Sequence, residues 1–173
     1  TVNFEHVTGD RFTTLNRVQG GMGASQILGS ITSKTGNIWI LNADGVHFGQ
    51  GSTVDVASIL VSTYNISNEN FMSGNYNFEE FPGATQGRIY NAGEIKVSGL
   101  AALLSHDVEN VGIIRAQVAT VLIGSNPTWV LDAFGDDTIN FAVSDELLQR
   151  KATVSNSGEI YADGGRVFLS VDQ

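Results

Sequence analysis

The side chains of this chain that could do chemistry are few and scattered. Gly135-Asp136-Asp137 sets two carboxylates side by side. Glycoside hydrolysis uses such a pair, one to protonate the leaving oxygen and one to activate water. Enzymes that cleave polysaccharides with clustered aspartates add a Gly-His-Gly and an Arg-x-Lys, and the chain has neither. The triplet also lies between two alternating segments, Trp129-Val-Leu-Asp-Ala-Phe134 and Thr138-Ile-Asn-Phe-Ala-Val143, so it reads first as a hairpin turn. His6, His47 and His106 are far apart, with no His-x-x-x-His spacing, and each reads as an isolated polar side chain rather than a metal ligand. Gly20-Gly21-Met22-Gly23 and the tract from Gly45 to Gly51 lack the Lys-Ser/Thr of a phosphate loop, and read as turns. There is no Gly-x-Ser-x-Gly elbow and no tandem Gly-Gly-x-Gly-x-Asp calcium motif. No cysteine is present, which removes disulfides, thiolate metal sites and cysteine nucleophiles together. The residues therefore imply no catalytic group, no metal and no cofactor. Asn65-Ile66-Ser67 is the single glycosylation sequon, a number that chance supplies in a chain rich in Asn and Ser.

The elements that carry these residues are strands. Val2 and Phe4, Ile38 and Ile40, Val46 and Phe48, Val54 and Val56, and Ile59 and Val61 form alternating pairs between Gly-, Asn-, Asp- and Ser-rich turns, which puts one face inward and one outward. A repeat is more informative. Asn91-Ala-Gly93-Glu-Ile95-Lys-Val97, Asn110-Val-Gly112-Ile-Ile114-Arg-Ala116 and Asn156-Ser-Gly158-Glu-Ile160-Tyr-Ala162 read alike. Each precedes a second apolar stretch: Ala101 to Leu104, Val118 to Ile123, and Val167 to Val171. The first two copies are 19 residues apart and the third a further 46. Short strands at a period of about 20 residues mark a solenoid. The Leu-x-x-Leu-x-Leu register of a leucine-rich repeat is absent, so a parallel β-helix fits. Ile95, Ile114 and Ile160 should stack inside, each strand pairing with its equivalent one coil away. Asn91, Asn110 and Asn156 should share one corner, where an asparagine tolerates a left-handed backbone and its amide can bond to the coils above and below.

Two stretches break the winding. Residues 127–143 are expected to form an antiparallel hairpin packed on the solenoid, followed by a short helix capped by Ser144 with Asp145 and Glu146 early and Arg150 and Lys151 late. Residues 64–83 hold Tyr64, Phe71, Tyr76, Phe78 and Phe81. That is too aromatic for a free linker and reads as an excursion whose rings cover exposed core.

Composition narrows the class. The length of 173 residues suits one domain spanning 1–173. With 20 Gly, 2 Pro and 42% hydrophobic residues, but only 16% charged, the chain is neither disordered nor a helical bundle. A net charge of −9 with only three lysines (Lys34, Lys96, Lys151) excludes nucleic acid as a partner and disfavours an anionic membrane. The chain opens on Thr1 without a charged-then-apolar segment, which reads as a processed or trimmed start.

The segment from Asn16 to Thr63 carries a family resemblance. It reads Asn16-Arg17-Val18, Ile27-Leu28-Gly29, then Ile38-Trp-Ile-Leu-Asn-Ala-Asp-Gly45-Val46-His-Phe48-Gly49, and Ser62-Thr63. This resembles the secretion domain of two-partner-secretion exoproteins, or haemagglutination-activity domain, a family that includes filamentous haemagglutinin and the high-molecular-weight adhesins of Gram-negative bacteria. Ile66-Ser67-Asn68-Glu69-Asn70 and the Asn-x-Gly-x-Ile repeats resemble its adhesin-like branch, and the likeness spans nearly the whole chain. The family hallmark is an Asn-Pro-Asn-Gly-Ile turn. Asn42, Ala43, Asp44, Gly45 and Val46 stand in its place, without the proline, with Asp for the second Asn and Val for Ile. Gly45 should keep the positive-φ position, Asp44 the side-chain turn and Val46 the inward apolar group. The family's Asn-Pro-Asn-Leu motif is missing. Its members carry a signal peptide and a capping strand region upstream of the position of Thr1.

The resemblance implies a right-handed parallel β-helix, all-β, at about 20 residues per coil. It implies a non-enzymatic N-terminal secretion domain of a large exported adhesin or toxin, secreted through the periplasm to the surface of a Gram-negative bacterium. The partner implied is an outer-membrane β-barrel transporter with periplasmic docking domains, with host-cell or glycan contacts made through the rest of the exoprotein. Asn42–Val46 would form the motif turn that the transporter recognises, supported by Arg17, Asn91, Asn110 and Asn156. Two alternatives are a carbohydrate-binding module stacking sugars on Tyr64, Tyr76 and Trp129, and a polysaccharide-degrading enzyme centred on Asp136 and Asp137.

Overall fold

A computed structural model describes residues 1–18, 21–83, 87–117, 120–124, 129–130 and 153–170. The chain winds in coils of up to three strands. Coil 1 holds β1 (Val2–Asn3), β2 (Phe12–Val18) and β3 (Ser25–Ile27). Coil 2 runs through β4 (Ser30–Asn42) and β5 (Val46–Phe48). Coil 3 begins on β6 (Thr53–Ser62), leaves through α1 (Asn68–Ser73) and β7 (Asn77–Phe78), and returns on β8 (Arg88–Asn91). Coil 4 is β9 (Glu94–Val97), β10 (Ala101–Leu104) and β11 (Asp107–Asn110). Coil 5 is β12 (Ile113–Gln117), β13 (Thr120–Gly124), an excursion containing β14 (Trp129–Val130), and β15 (Thr153–Asn156). Coil 6 is β16 (Glu159–Asp163) and β17 (Arg166–Ser170).

Every strand of the winding pairs in parallel with its equivalent one coil away, which defines three faces. The first face contains β1, the starts of β4 and β6, then β9, β12 and β16. The second contains β2, the ends of β4 and β6, then β10, β13 and β17. The third contains β3, β5, β8, β11 and β15. The long strands β4 and β6 turn the corner between the first two faces without breaking, and β4 shifts register against β6 between Ser33 and Asn37. The fold is thus the parallel β-helix expected from the repeat. Ile95, Ile114 and Ile160 are direct register partners. Asn110 pairs with Asn156 across the 46-residue spacing, so β15 follows β11 directly on the third face.

Two apolar layers hold the winding. The inner one collects Ile31, Val54, Ile95 and Ile114 from the first face, Ile38, Ile59 and Leu103 from the second, and Val46, Phe48, Ile89 and Val108 from the third. Each fully buried large side chain contributes roughly 1.5–3 kcal/mol. The second layer lies outside the second face. Trp39, Leu41, Leu60, Ala102 and Leu104 point outward there and are covered by Tyr64, Ile66, Tyr76 and Phe78. Trp39 makes edge contacts with Phe71 and Tyr76 at centroid distances of 5.3 and 4.8 Å. This face is therefore apolar on both sides, as strands buried on both faces must be. The first face instead points Asp55, Lys96 and Arg115 to solvent, with ion pairs Lys96–Asp55 (3.4 Å) and Arg115–Glu94 (2.9 Å) running coil to coil.

The aromatic excursion over 64–83 covers core as expected, but it contains a helix the sequence reading lacked. Ser67 caps α1, its hydroxyl accepting from the Asn70 amide, and Gly74 closes it with φ 74°. β7 pairs antiparallel with β14, Trp129 opposite Phe78, so the two excursions, which leave the winding between the second and third faces, meet. The hairpin expected across residues 127–143 is described only at Trp129–Val130. The triplet Gly135-Asp136-Asp137 and the helix expected from Ser144 lie outside the described residues.

Candidate functional site

The Asn42–Val46 turn joins the second face to the third in coil 2. The Asn42 Oδ1 accepts the Asp44 amide at 2.9 Å, and the Gly45 amide donates to the Asn42 carbonyl at 3.0 Å. Asn42, not Asp44, therefore makes the side-chain turn, a correction to the expectation. Asp44 faces the coil before it, and its Oδ2 accepts the Gly23 amide at 2.8 Å. Gly45 holds φ 106°, a backbone that L side chains adopt only with strain. Val46 is fully buried in the inner layer. Both expectations for these two residues are met.

Neighbouring coils clamp the turn from both sides. From coil 1, the Asn42 Nδ2 donates to the Gly23 carbonyl (3.1 Å) and Ser25 Oγ (2.9 Å), and the Ser25 amide donates to the Gly45 carbonyl (3.0 Å). From coil 3, the Gly87 amide donates to the Ala43 carbonyl at 2.7 Å. A Cβ on Gly87 would overlap the Asp44 carbonyl, and one on Gly45 would overlap the Arg88 carbonyl. Asn42 is 0% exposed. Its amide satisfies one acceptor role and two donor roles in place, which leaves no polar atom to displace it. The sequence reading missed Gly23, Ser25 and Gly87. The run Gly20–Gly23 had suggested only an ordinary turn, because the contact that needs it comes from a residue 19 positions later.

The asparagine corner lies between the third face and the first. The Asn91 Nδ2 donates to Asn110 Oδ1, and the Asn110 Nδ2 to Asn156 Oδ1, both at 2.7 Å. All three residues end strands, so the backbone there is extended. The amide ladder uses asparagine at these positions, and a left-handed conformation does not. The glycines that follow serve a different purpose from Gly45. Gly93, Gly112 and Gly158 do not hold a positive φ. A Cβ on Gly112 would collide with the backbone of Ala92 and Gly93, and one on Gly158 with that of Val111 and Gly112. Close approach of successive coils is the reason for glycine there. Asn91 and Asn110 are buried, while Asn156 on the last rung is exposed.

Arg17 reaches from coil 1 to the aromatic excursion. Its guanidinium donates to the Ile66 carbonyl at 2.6 Å and to Asn68 Oδ1 at 3.0 Å. It supports the excursion and not the turn.

The other residues singled out from the sequence are dispersed. The His6 Nδ1 lies 2.8 Å from Thr8 Oγ1 on an exposed loop. His47 lies on the third face, 3.2 Å from Gln26 Nε2 and edge-on to Tyr90. Burial, and then the Arg88 charge, hold its imidazole below the ordinary 6.5, so it is neutral at pH 7. His106 stands apart at the turn before β11. Among the described residues no three His, Asp or Glu side chains group as a metal site. Tyr64 and Tyr76 are 1% and 8% exposed, so neither offers a ring face to a sugar.

The TPS secretion domain family matches residues 1–173. The heme/hemopexin-binding protein of Haemophilus influenzae is 32% identical over 159 residues, covering 85% of this chain and 16% of that protein. The crystal structure of the HMW1 secretion domain from Haemophilus influenzae superposes with a TM-score of 0.78 at 26% identity, over 91% of this chain and 41% of that one. The chain thus spans under half of the solved relative and a small part of the curated one. The chain therefore belongs to the TPS secretion domain family, the secretion domains of exoproteins exported across the outer membrane of Gram-negative bacteria.

Proposed function

We propose that this chain brings a large exported adhesin or toxin to an outer-membrane β-barrel transporter and docks on that transporter's periplasmic domains while still extended. It then folds outside the cell as one unit over residues 1–173, and the downstream solenoid continues its coils. The observation that carries the reading is the enclosure of the Asn42–Val46 turn. With Asn42 0% exposed and coils packed on either side, a partner that reads this motif reads it before the coils stack, and strand addition is the mode open to an extended chain. Stacking of like coils is the driving force the second half of this reading needs, each coil templating the next. The absence of cysteine suits passage unfolded through an oxidising compartment. Contacts with a host cell or a glycan would be made by the rest of the exoprotein. The burial of Tyr64 and Tyr76 opposes a sugar-binding role for them. We read the chain as non-enzymatic, as its family is one of secretion domains.

The test is export from cells that carry the transporter. Asn42→Ala and Gly45→Val are each expected to abolish appearance of the exoprotein in the medium. In parallel, the transporter's isolated periplasmic region should capture urea-unfolded chain and not folded chain. Normal export of both variants, or equal capture of the two forms, overturns the proposal.

A further inference from the structure

We infer that the segment Thr63–Gly83 is a latch that closes only after the first five coils have stacked. The inference rests on the fold alone and not on the export reading. The segment cannot hold its own shape. Its helix α1 has six residues and buries none of them, whereas isolated helices are marginal below about 12–15 residues. Beyond its own turn and cap hydrogen bonds and the Asn65–Glu79 pair, the contacts that seat it come from the coils. Coil 1 contributes Arg17, which binds the Ile66 carbonyl and Asn68. Coil 2 contributes Trp39, ringed by Phe71, Tyr76 and Phe78. Leu60 comes from coil 3, and Ala102 and Leu104 from coil 4. Coil 5 contributes β14, paired with β7.

The coils do not depend on the segment in the same way. Each buries its inner layer against its neighbours, so stacking is favourable coil by coil. The latch has no docking surface until that stack exists, because its partners are assembled by the winding. Until it closes, the outward apolar row Trp39, Leu41, Leu60, Ala102 and Leu104 stays uncovered. Closure converts an open apolar sheet face into a second core, and Arg17 is the positioning residue that holds its leading end.

Hydrogen exchange on the unaltered chain tests the order. During refolding from urea, pulse labelling read by NMR should protect the Glu94 and Ile113 amides, which bridge coils, before those of Asn65 and Glu79, which bond only each other across the latch. In the folded state, Arg17→Ala should speed exchange at Asn65 and Glu79 roughly five- to thirtyfold, the effect of losing its two hydrogen bonds to the latch, and leave Glu94 and Ile113 unchanged. Simultaneous protection of all four amides, or an equal acceleration at all four in Arg17→Ala, would overturn the latch.

Discussion

Two corners of the winding use the same pair of residue types for different ends. At Asn42-Ala-Asp-Gly45 the asparagine closes its own turn and bonds back to the preceding coil, and the glycine supplies a positive φ. At Asn91-Ala-Gly93 the asparagine also accepts its own Gly93 amide, but its Nδ2 bonds the equivalent Asn110 of the next coil, as Asn110 in turn bonds Asn156, and the ladder glycines leave room for the preceding coil's backbone. The first arrangement is a single turn held between unlike neighbours. The second is a periodic ladder in which each rung supports the next. An Asn-x-Gly pattern therefore specifies a tight corner but not its mechanism, which depends on whether the neighbouring coil presents another asparagine.

The comparison can be broken most severely at the ladder glycine. Gly112→Ala forces a methyl into the backbone of Ala92 and Gly93, which cannot move without separating the coils. We expect a loss of about 3 kcal/mol or more in urea unfolding; a loss below about 1 kcal/mol would mean that the coils are not in close contact there. The middle rung comes next. Asn110→Ala leaves the Asn91 amide buried without its acceptor, at a cost of about 1–3 kcal/mol. Combined with Asn42→Ala at the other corner, the losses should add, whereas combined with Asn91→Ala they should sum to less than their parts. Full additivity in both pairs would deny the ladder its coupling. The smallest effect belongs to the exposed last rung, where Asn156→Ala should cost under about 1 kcal/mol. A loss equal to that of Asn110→Ala would show that exposure does not separate the rungs.

Much of this organisation was readable from residues alone. The three Asn-x-Gly-x-Ile copies set the coil length, the stacked isoleucines and the amide corner. The aromatic stretch over 64–83 announced a cover. The continuous apolar runs Ile38-Trp39-Ile40-Leu41 and Ala101-Ala102-Leu103-Leu104 held a further signal, that one face is buried on both sides. Reading Ile38 and Ile40 as simple alternation hid it, since a strand of the first face such as Val54-Asp55-Val56 alternates in earnest. The site was half legible. Gly45 and Val46 behave as the motif suggests, but the side-chain turn expected of Asp44 is made by Asn42.

By itself the sequence determined the period, the inward side chains and the positions where a turn needs glycine or asparagine, because these depend on spacing within one coil. Only the tertiary structure decided which coil clamps the Asn42 turn, why Gly112 must be glycine, where Arg17 reaches, and that two excursions 51 residues apart, at Phe78 and Trp129, meet as paired strands. Those outcomes depend on what lies one coil away or outside the sheet. Such neighbours follow from the winding as a whole, and no local pattern of residues records them.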